Sequence, residues 1–160
     1  MKQDFDFNGQ SITFDFCLDA NVEFFTVRNS CNYANDIKTG IEKIKVAQNV
    51  RFDDYNEEFI INGVAYRYLR IEFRDIGGKL GSPYITARRA DSVQDILSDA
   101  ARRQISEKLA PKLLEFALSN REKARAELLE YFKKRAMENI ETARQNFDLA
   151  QRVIEEELLK

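Results

Sequence analysis

Apolar and polar residues alternate through FDFNGQSITFDF, residues 5–16, with Asn8-Gly9 at the centre. A period of two marks strands, and an Asn-Gly pair supplies the two left-handed residues of a type I′ hairpin turn. Two-residue hairpin geometry sets Phe7 opposite Gln10 and Phe5 opposite Ile12, so Phe5, Phe7, Ile12, Phe14 and Phe16 share one face. Asp4, Asp6, Ser11, Thr13, Asp15 and Cys17 take the other. This hairpin is expected to be buried on one side only.

The stretch EFIINGVAYRYLRIEFR, residues 58–74, repeats the arrangement around Asn62-Gly63, a likeness that any two good hairpins share. Strict alternation puts Tyr66, Tyr68, Arg70, Glu72 and Arg74 on one face and Ala65, Arg67, Leu69, Ile71 and Phe73 on the other. With Phe59 and Ile61 on the Tyr66 side, both faces carry bulky apolar groups. The expectation is a central strand covered on both sides, with the first hairpin outside it.

Between the hairpins, VEFFTVR (22–28) reads as a third strand and is followed by an Asn-rich loop. Ile44, Val46, Val50 and Phe52 fall on even positions, which predicts a strand over 43–52 after a short helix over 36–42. IGGKLGSP (76–83) reads as a loop and YITARR (84–89) as a last strand. Six or seven antiparallel strands are expected up to about residue 90.

Beyond that point apolar residues recur every three or four positions. Ser92 with Asp95 forms a capping pattern, and Val93, Ile96, Ala100, Ile105 and Leu109 follow. Pro111 is expected to kink that helix or begin another. A second capping pattern, Ser119 to Glu122, opens a helix over about 120–158, whose stripe runs from Ala124 through Phe132, Ala136, Ile140 and Ala143 to Leu158. Glu130 with Lys134, and Arg152 with Glu156, are placed to brace it.

The preceding helical segment is shorter, so the far end of this stripe is left uncovered. Phe147, Ile154 and Leu158 are the self-association candidates, through a homodimer or burial in another protein. Glu155, Glu156 and Glu157 oppose the helix dipole there. The fold class is therefore α+β: an antiparallel β-rich domain over 1–90, then a helical hairpin over 91–160 with one long amphipathic helix, its first part packing on the sheet.

Composition narrows the chemistry. The 160 residues are 44% apolar and 32% charged, with a net charge of -2, which suits one ordinary soluble domain. That small net charge hides a contrast: residues 1–66 hold 6 basic and 11 acidic side chains, whereas residues 67–89 hold 6 basic and 2 acidic. A protein-wide field for phosphate is excluded, and a local basic patch is not. Tyr66, Tyr68, Arg70, Arg74, Lys79, Arg88 and Arg89 are its candidate binding residues, because rings interleaved with arginines offer stacking surfaces beside phosphate partners.

The chain has no histidine, which removes Ser-His-Asp and Cys-His catalysis and His-ligated metals. Two cysteines, Cys17 and Cys31, are too few for a disulfide framework or a four-thiolate zinc site. GGKLGS lacks the spacing and the Ser or Thr of a phosphate loop. Asp53 or Asp54 with Glu72-Phe73-Arg74 has the outline of a Mg²⁺-dependent nuclease site, but arginine stands where a lysine is wanted, so this is a remote alternative.

No cofactor and no metal are expected. The start MKQDFDF has no signal-peptide apolar run, and no stretch has the roughly 18–20 apolar residues of a membrane span. The expected compartment is the cytoplasm, without membrane association. The expected function is non-enzymatic: binding of another protein or nucleoprotein, as by a small inhibitor or assembly factor of the kind phages and mobile elements carry. RNA or DNA binding through the basic aromatic hairpin 66–89 is the alternative.

Overall fold

Both Asn-Gly pairs turn as their chemistry dictates, with φ of 51° and 81° at Asn8 and Gly9 and 52° and 77° at Asn62 and Gly63. The computed structural model describes residues 1–22, 33–54, 58–90 and 97–158. The first turn joins β1 (Lys2–Phe7) to β2 (Gln10–Leu18), in a register that pairs Phe7 with Gln10 and Phe5 with Ile12. Then come α1 (Tyr33–Val46), β3 (Val50–Asp53) and the second hairpin, β4 (Phe59–Ile61) with β5 (Val64–Phe73). A short pair, β6 (Asp75–Ile76) and β7 (Lys79–Leu80), turns through Gly77-Gly78, and β8 (Tyr84–Arg89) returns along β5. The helices α2 (Asp99–Lys108) and α3 (Ala110–Leu158) complete the described chain.

Among the described residues the main sheet is antiparallel and ordered β1-β2-β3-β5-β4, with β8 also on β5. β3 and β4 lie in succession against β5, at residues 70–73 and 64–66 respectively. Where this lane is interrupted, a side chain takes over the pairing: the Gln10 amide donates to the Ile60 carbonyl and accepts from the Ile60 N–H, both at 2.8 Å.

The inner face of the sheet buries Phe7, Ile12, Phe14, Phe16, Phe52, Phe59, Ile71 and Phe73. Each such side chain contributes roughly 1.5–3 kcal/mol on removal from water. From α3, Phe116 sets its ring edge-on against Phe5, Phe16 and Phe52, at centroid distances of 5.6, 5.4 and 6.3 Å. The α2 helix ties the hairpin tips together. Gln104 donates to Asn62 Oδ1 at 2.8 Å and accepts from Asn8 Nδ2 at 3.2 Å, while Lys108 donates to Asn8 Oδ1 at 3.1 Å.

By packing, the chain forms two compact units: Met1–Ala20 with Ala47–Ala126, and Asn21–Val46 with Glu127–Lys160. The change of secondary structure near residue 90 and this packing boundary are different boundaries. In the second unit α1 runs antiparallel to α3, because Gly40 lies under the Phe132 ring while the Tyr33 hydroxyl donates to the Ala136 carbonyl at 3.4 Å. A Cβ built on Gly40 would fall 2.3 Å from Phe132 Cζ, so only glycine permits this approach.

Several expectations are corrected. The strand over 43–52 is the end of α1 followed by β3. The even-position pattern arose because the three residues 47–49 between them happen to preserve parity, and exposed Val46 belongs to no core face. The helix expected over 36–42 is α1, longer at both ends. The Ser119–Glu122 pattern starts no helix: α3 passes through it, and Asn120 donates back to the Phe116 carbonyl at 2.9 Å. The helix starts instead at Ala110, so Pro111 sits in the first turn, where its missing N–H costs nothing.

Ser98 caps α2, accepting from the Ala101 N–H at 3.2 Å. The Ser92–Asp95 pattern and residues 23–28 of the expected third strand lie outside the described residues. Glu130 pairs with Lys133 rather than Lys134, at 3.7 Å.

Candidate functional site

Strict alternation along β5 fails at one place, and the site is built there. Tyr66, Leu69, Ile71 and Phe73 are all buried, while Arg67 and Tyr68 are both exposed. Against β8, Arg67 pairs with Arg88 but Arg70 pairs with Thr86, so β5 carries one residue more than its partner. This is a β-bulge, and it flips the parity of the strand. The expectation of a strand covered on both sides is corrected accordingly: one face is buried throughout, and its residues change from even to odd at the bulge. Ile60, opposite Ala65 on the other face, is exposed.

Tyr68 sits at the bulge with φ of 57°. The left-handed region costs a residue with a Cβ about 1–2 kcal/mol. Its ring is 52% exposed and stacks under the Arg88 guanidinium at 5.6 Å, an exposed cation–π contact worth about 0.5–1 kcal/mol. That contact does not offset the strain. The bulge is held instead by burial of Leu69 and Ile71 and by the Asp54 N–H, which donates to the Leu69 carbonyl at 2.8 Å.

Beside the bulge opens a pocket of about 210 Å³ lined by Asp53, Asp54, Tyr68, Leu69, Arg70, Thr86, Ala87 and Arg88. Asp53 and Asp54 are both buried. The Asp53 carboxylate accepts from Arg51 Nε at 2.8 Å and from Arg70 Nε at 2.6 Å, so two arginines of the outer face are matched to a buried anion. A second cation–π pair extends the surface, with Arg74 over Tyr84 at 5.7 Å.

Cys17, on the same outer face, has its thiol pKa pushed up by burial; Arg51 pulls it down, but the nearby carboxylates of Asp53, Asp15 and Asp19 add to the rise. It stays a neutral thiol at physiological pH. Among the described residues, no group of three or more Cys, Asp or Glu side chains is placed to hold a metal.

The structure gathers only part of the expected basic and aromatic set. Tyr68, Arg70 and Arg88 line the pocket, and Arg74 lies farther along the same face. Tyr66 is a core residue, 2% exposed and stacked on Phe59 at 5.8 Å, so it presents nothing to a partner. Lys79 on β7 and Arg89 at the end of β8 are exposed and are not among the pocket's lining residues. Sequence reasoning missed Thr86 and gave Asp53 and Asp54 a metal role, whereas Asp53 binds arginine. The bulge at Arg67 and Tyr68 gave no signal that alternation alone could read.

In the second unit, Phe147, Ile154 and Leu158 are exposed, as are all residues from Arg144 to Leu158. No described helix is long and apolar enough to cross a membrane. Comparison of the chain with known protein families, curated proteins and solved structures gave no match.

Proposed function

We propose that this protein acts without catalysis, by binding another protein through the outer face of β5 and β8 around Tyr68. The observation that carries the reading is the strained, half-exposed tyrosine at the bulge. Left-handed backbone at a residue with a Cβ, held in place by the packing around it, concentrates at functional sites, and here its effect is to present an aromatic ring at the mouth of a pocket. Tyrosine and arginine are the side chains that dominate protein-binding hot spots, and Tyr68, Arg88, Arg74 and Tyr84 form two stacked pairs of that kind.

Charge favours a protein over a nucleic acid as the occupant. Arg51 and Arg70 are already bound to buried Asp53, and Asp54 and Glu72 add further acid to the face. A polyphosphate backbone gains little from arginines neutralised in this way. A protein segment that inserts a polar or basic side chain between Asp53, Asp54 and Thr86, with Tyr68 packed over it, suits the pocket better.

The test is affinity capture from the native host, with and without nuclease, comparing wild type with Tyr68→Gly/Arg88→Ala. Glycine relieves the backbone strain while removing the ring, so the fold is retained. Proteins held by wild type after nuclease treatment and lost by the double variant support the reading. An undiminished protein set in the variant would place the binding surface elsewhere. Recovery of nucleic acid alone, weakening steeply with salt and with Arg74→Ala/Arg88→Ala, would turn the assignment to RNA or DNA.

A further inference from the structure

Asn8-Gly9 and Asn62-Gly63 carry a chemistry that the Tyr68 surface does not use. Where glycine follows asparagine, no Cβ on the second residue hinders its backbone nitrogen from reaching Cγ of the asparagine side chain. The N–Cγ bond forms and the Cγ–Nδ2 bond breaks, and the glycine N–H proton leaves with the amide nitrogen as ammonia. Water then opens the five-membered imide at either carbonyl, giving aspartate or isoaspartate. The attack requires the side-chain amide to swing back over its own backbone. Whatever holds that amide away therefore slows the reaction.

The two sites match in backbone and in access to water: both asparagines are exposed, with φ of 51° at Asn8 and 52° at Asn62. They differ in how α2 holds them. Asn8 is held at both ends of its amide, because Nδ2 donates to Gln104 Oε1 at 3.2 Å and Oδ1 accepts from Lys108 Nζ at 3.1 Å. Among the described residues Asn62 is held by its oxygen alone, which accepts from Gln104 Nε2 at 2.8 Å. The strands behind the turns differ in the same direction. β1 pairs with β2 over Lys2–Phe7, whereas β4 pairs with β5 over Phe59–Ile61 only, and an arm with fewer ladder bonds opens locally at lower cost.

We infer that Asn62 is a site of spontaneous deamidation in the folded protein, and that α2 locks Asn8 against the same reaction through Gln104 and Lys108. A net hydrogen bond shifts an equilibrium by a factor of roughly two to ten, and one to a charged group by more. Asn8 must break two such bonds to react, one of them to a lysine; Asn62 must break one. The isoaspartate product carries its own Cβ in the main chain, which lengthens a loop whose two-residue size sets the register of the strands it joins. Conversion at Asn62 therefore disturbs the pairing of Ile61 with Val64 at the start of β5.

Incubation of the full chain in mildly alkaline buffer, sampled over time and read by peptide mass mapping, tests this, with the urea-unfolded chain as reference. Unfolded, the two asparagines are expected to convert at similar rates, because each precedes glycine. Folded, Asn62 is expected to convert roughly two- to tenfold faster than Asn8. Lys108→Ala, a change at an exposed residue that leaves the fold intact, is expected to speed Asn8 by a similar factor without altering Asn62, and Gln104→Ala to speed both. Three results would overturn the inference: Asn8 converting as fast as Asn62 in the folded protein, an Asn8 rate indifferent to Lys108→Ala, or an Asn62 still intact when the unfolded chain has fully reacted. None of them touches the Tyr68 surface, which is read by its own variants.

Discussion

At the scale of single residues, Tyr68 is the position where backbone cost and side-chain presentation conflict, and substitution separates them. Tyr68→Gly loses the stacking on Arg88 but removes the left-handed penalty, so its denaturation midpoint is expected to equal or exceed that of wild type. Tyr68→Val, with a branched Cβ in the same conformation, is expected to lower stability by about 1–2 kcal/mol. Chemical denaturation of both decides it; a destabilised glycine variant would mean that the ring, not the backbone, holds the bulge.

Cys17 gives a second residue-level expectation. Its folded pKa lies above the unfolded 9.0 because burial disfavours the thiolate. The resulting stability is therefore present below pH 9 and is lost as pH rises toward the folded value. In a Cys31→Ser background, a disulfide reagent at pH 8 should label Cys17 far more slowly in the folded protein than in urea. The stability advantage over Cys17→Ser should also shrink above pH 9. The face of Cys17 was readable from the alternation of β2, but that of Tyr68 was not: strict alternation set Tyr68 beside Tyr66, and a one-residue bulge, which leaves no composition signal, separated them into surface and core.

At the scale of elements, legibility followed how local the determinant was. The Asn8-Gly9 and Asn62-Gly63 turns, and the β1–β2 register that follows from a two-residue loop, were readable because a few adjacent residues dictate them. The 43–52 segment was not, since Ile37, Ile41 and Ile44 support a helix as well as Ile44, Val50 and Phe52 support a strand. What decides is a distant contact: Gly40 is buried under Phe132, 92 positions away in the chain.

That contact carries its own prediction. Alanine is favoured over glycine within a helix by about 1 kcal/mol, yet Gly40→Ala is expected to destabilise the packing of α1 on α3 by about 1–3 kcal/mol, because the new Cβ meets the buried ring at 2.3 Å. Adding Phe132→Leu should recover part of the loss. A stabilised Gly40→Ala protein would show that the ring yields easily and that helix propensity wins.

At the scale of the whole molecule, the fold class and the long C-terminal helix were legible because sustained periods of two and then 3.6 leave little choice. The starting point of that helix was not, since a good capping sequence at Ser119 lost to an uninterrupted ladder anchored by Phe116 and Leu113 in the core. The other end of α3 presents the opposite situation: fifteen residues, Arg144 to Leu158, gain no burial. Helices of about 12–15 residues are marginal on their own, and three glutamates at the C-terminus weaken this one further.

Amide hydrogen exchange should therefore be fastest along α3 in this segment. Amides from about 144 to 158 are expected to exchange on the timescale of local fraying, whereas amides of β5 and of the inner part of α3 are expected to be protected, because burial within the chain holds them. Protection of 144–158 equal to that of the inner turns would mean that helix propensity alone holds the far end.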